Sequence, residues 1–181
     1  MEFNKVLQER HSVRNFESQH ISEDKMRRIL EAARLAPSWT NEQCWRFVVV
    51  EDSEIRGRIV NAVPDSNPAK NALKEAPVIV VLCADPDKSG DVAMKEYYMV
   101  DAGIAMEHLV LAAVNEGLGT CWVGVFDEDE IREILDIPRR YRVVAMTPIG
   151  YPGKHSDSRE RKPLTDIAYE NTWENPVRYL H

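Results

Sequence analysis

The stretch Arg10-His-Ser-Val-Arg-Asn-Phe16 puts two guanidiniums, an imidazole and a hydroxyl close together in the chain. These are anion donors. The planar fork of arginine and a serine hydroxyl suit phosphate oxygens, and exposed N–H groups of a turn add to them. Taken alone, the stretch reads more simply as a solvated basic turn. A second basic set, Lys154, His155, Arg159, Arg161 and Lys162, follows the last apolar run, and two such clusters in an acidic chain can converge on one dianion. The third group is Ala36-Pro-Ser-Trp-Thr-Asn-Glu-Gln-Cys-Trp-Arg-Phe47, rich in amides and hydroxyls, in a loop of the kind that rigid elements hold out to form a site.

The elements that must position these groups follow from periodicity. Ser22-Glu23-Asp24 is a helix start, and Met26, Ile29, Leu30 and Ala33 continue it at helical spacing until Pro37. Trp45–Val50 and Pro77–Ala84 are β-branched runs, the second without polar alternation, so both are predicted at the centre of a sheet. Residues 91–117 read as one long helix or two in series, apolar on nearly all sides and stopped by Gly117, which implies a buried helix or a subunit interface. Gly119–Phe126 is strand-like, Asp127–Asp136 a short amphipathic helix, and Tyr141–Ile149 a last strand closed by Gly150-Tyr-Pro152. Helices and strands mix without a regular βαβ rhythm. Residues 163–181 carry Ile167, Tyr169, Trp173, Val177, Tyr179 and Leu180, so this C-terminal arm needs its own core or a partner subunit to lie on. The expected organisation is therefore one domain over 1–162 and an arm over 163–181.

Composition narrows the classes. With 23 basic against 30 acidic residues, the net charge of −7 disfavours a general nucleic-acid or anionic-membrane binder. Cys44, Cys83 and Cys121 are odd in number and lack CxxC spacing, which argues against a disulfide framework and a zinc ribbon, and for a reducing, cytoplasmic setting. They are expected to be buried hydrophobes rather than redox thiols. The charged N-terminus has no signal-peptide pattern, and no apolar run approaches the roughly 20 residues of a membrane span. His11 and His155 lack companion ligands, so no metal is expected; His108 reads as a satisfied core histidine.

Four motifs occur in order: Arg-x-Ser-x-Arg at 10–14, Ala-Pro-Ser-x-x-Asn-x-Gln-x-Trp-x-Phe at 36–47, Gly-Leu-Gly-Thr-Cys-Trp-Val-Gly at 117–124, and Gly-Tyr-Pro at 150–152. As an ordered set they resemble the FMN-dependent nitroreductase family. That resemblance implies an α+β fold, a mostly antiparallel mixed sheet flanked by helices, in an intertwined homodimer with an FMN at each of two interface sites. It also implies that Arg10, His11 and Ser12 hold the FMN phosphate with Arg159 and Arg161. Arg14 would lie at the pyrimidine edge, where a cation offsets charge placed on N1 and O2 by reduction. Pro37, Ser38, Trp39, Asn41 and Gln43 match a flavin loop, part of which reaches the partner's cofactor. Trp122, Val123, Gly124 and Val125 match a strand end passing the isoalloxazine with backbone N–H groups. Asn67-Pro-Ala-Lys70 can match a pyrimidine contact if a gap is allowed. Cys44 stands where the family usually has proline, and Gly124-Val125 lacks the acid often found there.

The activity implied is a ping-pong cycle: NADH or NADPH gives hydride to flavin N5, leaves, and is replaced by a small flat acceptor such as a nitroaromatic or quinone. The chemistry lies mainly on FMN, and Arg14 is the side chain expected to affect rate. Two alternatives remain open: a same-fold flavin enzyme of other chemistry, such as a reductive dehalogenase or an oxygen-using flavin-fragmenting enzyme, and a flavin-binding dimer without turnover.

Overall fold

A computed structural model describes residues 1–153 and 160–180. The main sheet is built on β2 (Val78–Ala84), whose seven residues are all buried. Its side chains alternate between two cores, one containing Val78, Val80, Leu82 and Ala84, the other Ile79, Val81 and Cys83. An unbroken apolar run therefore fills both faces, and each fully buried Val, Ile or Leu side chain contributes about 1.5–3 kcal/mol. Four strands run in the order β1 (Trp45–Val50), β2, β6 (Arg142–Gly150), β5 (Gly119–Thr120), every neighbouring pair antiparallel.

The expectation that 45–50 lies at the sheet centre is corrected. Among the described residues β1 pairs only with β2 and forms an edge; Arg46 is exposed and Phe47–Val49 are half-buried. The nine-residue β6 takes the central place because it receives β2 on one side and β5 on the other. The strand reading of 119–126 holds only for its first two residues, after which Val123 returns as an isolated bridge to Met146.

One face of the sheet is covered by α2 (Glu23–Arg34) and α5 (Tyr97–Asn115), the other by α3 (Ser53–Asn61), α4 (Lys70–Glu75) and α6 (Glu128–Ile134). Ser22 occupies the N-cap of α2, though its hydroxyl makes no capping bond, whereas Asp127 caps α6 by accepting from the Glu130 N–H at 2.9 Å. Residues 91–96 are not helical: Asp91–Val92 (β3) and Lys95–Glu96 (β4) form a hairpin, because Ala93 and Met94 adopt φ of 53° and 60°, the two left-handed residues of a tight hairpin turn. α5 has the length and apolarity of a membrane span, but half of it is buried between α2 and the sheet. Gly117, at φ 76°, ends it in the left-handed conformation that glycine adopts without steric cost. α1 (Phe3–Glu9) leads into the basic stretch. In the arm, Leu164, Ile167, Trp173 and Tyr179 are exposed while Val177 is buried.

Candidate functional site

The basic stretch is held as an extra strand. Ser12 bridges Thr120 in parallel, the Val13 N–H donates to the Thr120 carbonyl at 2.8 Å, and the Gly153 N–H donates to the Asn15 carbonyl at 2.9 Å. Val13 and Phe16 are buried with Ala72 and Ala76, and Ser12 and Arg14, which flank Val13 on the extended backbone, project to the face opposite Val13. The approach is so close that a Cβ at Gly119 would lie 2.6 Å from Val13 Cγ2. Arg14 Nε is buried with no hydrogen-bond partner among the described residues. Arg132 Nε shares that state, but the rest of its guanidinium engages Glu128, Asp129 and the Tyr141 carbonyl. Arg14 and Ser12 both bear on the Cys121 thiol, where their pull downward is outweighed by burial, which raises it. Arg10 is half-buried and its charge acts on Glu107 of α5, whose carboxyl is pushed up by burial against that pull. His11 Nδ1 donates to the Glu9 carbonyl at 2.7 Å.

Beside this stretch runs the segment after β5. Val123 exchanges backbone hydrogen bonds with Met146, while Trp122, Gly124 and Val125 are exposed; a Cβ at Gly124 would meet nothing within 4 Å. Asn67 Nδ2 donates to the Val125 carbonyl at 3.0 Å, which places the Asn67 turn on this segment. Lys70 is instead engaged by the Val63 carbonyl at 2.6 Å and Asp65 at 2.7 Å. An orphaned guanidinium nitrogen, a hydroxyl, free space over Gly124 and an apolar Val125 suit a flat, anionic, hydrogen-bonding group such as FMN.

The loop 36–44 lies elsewhere. It leads into the start of β1, where Trp45 pairs with Ala84, while Thr120 pairs with Ile149, which faces Val78 at the opposite end of β2. The two groups also occupy opposite edges, with four strand spacings between β1 and the Ser12 stretch, roughly 19 Å. Within one chain, Pro37, Ser38, Trp39, Asn41 and Gln43 are therefore not brought to Arg10, Ser12 and Arg14. Arg161 is described and exposed, whereas Lys154, His155 and Arg159 lie outside the described residues.

Loop 36–44 is strained and tied down. Thr40, Asn41 and Gln43 have φ of 43°, 62° and 51°, a region that costs such residues roughly 1–3 kcal/mol each. Ser38 Oγ accepts from the Gln43 N–H at 2.9 Å, and Trp39 packs on Tyr97 with ring centroids 4.7 Å apart. The main tether is Asp101, only 3% exposed, which accepts from the Trp39 N–H at 2.9 Å, the Ser89 hydroxyl at 2.7 Å and the Cys44 thiol at 3.7 Å. Burial, with Asp101 adding to it, pushes the Cys44 thiol up to about 12, and burial takes Cys83 to about 11. Neither is a thiolate at neutral pH. His108 Nδ1 donates to the Ala32 carbonyl at 3.2 Å. Sequence reasoning missed Asp101; the available signal was a carboxylate set between Val100 and Ala102 in a largely apolar helix, since a buried charge must be hydrogen-bonded.

The Nitroreductase family model matches residues 7–73 and 64–151. An Archaeoglobus fulgidus protein whose name pairs NADH dehydrogenase with NAD(P)H nitroreductase is 34% identical, over 86% of this chain and 88% of its own. A 5,6-dimethylbenzimidazole synthase of Rhodospirillum rubrum is 33% identical, over 90% of this chain and 84% of its own. Among solved structures, a nitroreductase family protein from Clostridium novyi NT is 40% identical with a TM-score of 0.82, covering 99% of this chain and 98% of that one. An FMN-dependent nitroreductase from Clostridium difficile R20291 is 28% identical with a TM-score of 0.81, covering 93% and 98%.

Proposed function

Because the chain belongs to the nitroreductase family, a flavin-dependent oxidoreductase family using FMN and NAD(P)H, we propose that it reduces nitroaromatics, quinones or similar flat acceptors in a ping-pong cycle. The observation that carries this reading is the Nε of Arg14, buried without a partner among the described residues, beside Ser12 and the open surface over Gly124. A buried guanidinium N–H without a partner calls for an explanation, and a ligand that meets it is one that also accounts for the rest of this site. When bound, FMN would supply the hydride and electron-transfer chemistry.

The residues supply the rest. Arg10, His11 and Ser12 anchor the phosphate with Arg159 and Arg161, and Arg14 stabilises charge at the pyrimidine edge. Trp122, Val123, Gly124 and Val125 line the ring with backbone, and Asn67 braces Val125. Pro37, Ser38, Trp39, Asn41 and Gln43 complete the site from a second copy, since their own chain holds them at the opposite sheet edge. The homodimer this requires also gives the exposed Leu164, Ile167, Trp173 and Tyr179 of the arm a surface to cover. Three unpaired thiols suit a reducing, cytoplasmic setting.

The test is the visible spectrum of the purified protein, as isolated and with added FMN, followed by anaerobic NADH or NADPH. Flavin bands that bleach with nucleotide and return with a nitroaromatic or quinone are expected. Bound flavin that neither nucleotide reduces would leave a binding protein, and no bound flavin would defeat the reading at Arg10 and Arg14. The identity to the dimethylbenzimidazole synthase favours one second reading, because that product carries the dimethylbenzene ring also found in FMN. Loss of flavin absorbance under oxygen, rather than its recovery, distinguishes it.

A further inference from the structure

Asp101 is the buried carboxylate that the redox proposal does not use. It sits in the second turn of α5, is 3% exposed, and accepts from three donors on two different segments: the Trp39 N–H and Cys44 thiol of loop 36–44, and the Ser89 hydroxyl just before the hairpin. A second set of contacts links the same two segments. A Cβ at Gly90 would fall 2.5 Å from the Trp39 indole, Tyr97 packs against that indole from the hairpin's other end, and the Tyr97 N–H donates to the Gly90 carbonyl at 2.9 Å. Loop 36–44 cannot hold itself, with three residues at positive φ, and its strain persists only because surrounding groups over-determine it.

We propose that Asp101 is a positioning residue whose carboxylate fastens loop 36–44 and the root of the β3–β4 hairpin into one rigid piece, presented to the flavin and acceptor site of the partner copy. The proposal rests on the reading above only in assigning the loop to a flavin site. The carboxylate suits the task because its two oxygens accept from both segments at once, so a shift of either segment breaks a hydrogen bond to the same buried group. The hairpin tip carries Met94, 98% exposed, and Val92, so the fastened piece presents apolar surface as well as the loop's amides.

The test compares the full-length protein with Asp101→Ala, Asp101→Asn and Ser89→Ala. Amide hydrogen exchange without flavin is followed over 38–43 and 89–96, with α2 as the internal reference. FMN affinity is read from quenching of its fluorescence, and KM and kcat from NADH-driven reduction of p-benzoquinone. Asp101→Ala should speed exchange in both segments together and leave α2 unchanged. It should weaken FMN about tenfold and raise the quinone KM with little change in kcat, while Asp101→Asn, which keeps the shape and an acceptor oxygen, recovers part of both. Ser89→Ala removes one contact on the hairpin side; if the piece is rigid, loop 38–43 loosens too, which keeps the test open should Asp101→Ala fail to fold. Exchange that changes in one segment only overturns the proposal. So does loosening of both with FMN affinity and quinone KM unaltered. Wild-type protein that takes up no FMN refutes the proposed function instead, and the exchange data then decide the fastening alone.

Discussion

Replacing Arg14 by methionine should move stability and turnover in opposite directions. The side chain keeps its approximate length and apolar stem, so the packing of neighbouring Val13 and Phe16 against Ala72 and Ala76 is preserved. What disappears is a buried N–H with no partner, a group whose unmet desolvation costs about 1–3 kcal/mol. The flavin-free protein should therefore gain about 1 kcal/mol or more, which for a domain of this size raises the melting temperature by roughly 2–4 °C per kcal/mol. With FMN bound as proposed, the same change would remove a cation from the pyrimidine edge. A charge-assisted hydrogen bond is worth about 1.5–3 kcal/mol, so anaerobic reduction by NAD(P)H should slow about 10- to 150-fold. Retention of FMN should fall less, because in the proposed site Arg10, His11 and Ser12 would still anchor the phosphate; Arg10→Ala, in contrast, should chiefly lose the cofactor. Melting is measured on stripped protein at one fixed concentration, since the stability of the proposed dimer would depend on it, and reduction by stopped flow at about 450 nm, where oxidised flavin absorbs. A variant that melts lower than wild type and is reduced at the wild-type rate would refute the reasoning, because Arg14 would then be an ordinary structural cation.

Three further outcomes follow from other parts of the fold. Glu128 accepts from Arg142, Arg132 and the Val143 N–H, and the Arg142 hydrogen bonds above all push its carboxyl down to about 2. A depressed carboxyl stabilises the fold above its unfolded value near 4.5 and loses that contribution as pH falls toward about 2, so urea unfolding of Glu128→Gln should show a deficit at pH 7 that vanishes near pH 2. Because the side chain is 26% exposed, the deficit is about 1–2 kcal/mol rather than the full shift, and an equal deficit at both pH values would refute the linkage. Gly90→Ala should force the Trp39 indole off Tyr97 at a cost of about 1–3 kcal/mol, visible as a changed near-ultraviolet circular dichroism band; an unchanged band would show that the ring tolerates the methyl. Native protein at pH 8 should leave Cys44 and Cys83 unmodified by iodoacetamide and react fully once unfolded, whereas rapid native labelling would contradict their burial.

Much of the layered core could be read from residue order because burial on two faces leaves its own pattern. The run 78–84 carries no polar residue, and only a strand covered on both sides by helices has use for that. Likewise Gly117 announced the end of α5, and the ordered motifs from Arg10 to Pro152 were enough to indicate the family and its cofactor. The edge position of β1 was not legible, since Trp45–Val50 has the composition of a central strand and its place depends on pairings made far along the chain. Nor was the hairpin at 91–96, whose turn uses Ala93 and Met94 where Gly or Asn would have signalled it.

The site divides the same way. Local order alone determined which side chains could hold an anion, because Arg10, Ser12 and Arg14 are neighbours and alternate on an extended backbone. Tertiary structure decided that Arg14 Nε is buried without a partner among the described residues, that Asp101 gathers donors from two loops, and that loop 36–44 sits at the opposite edge of the sheet from the basic stretch. These are facts about groups distant in sequence, set by packing and strand order, and no spacing along the chain encodes them.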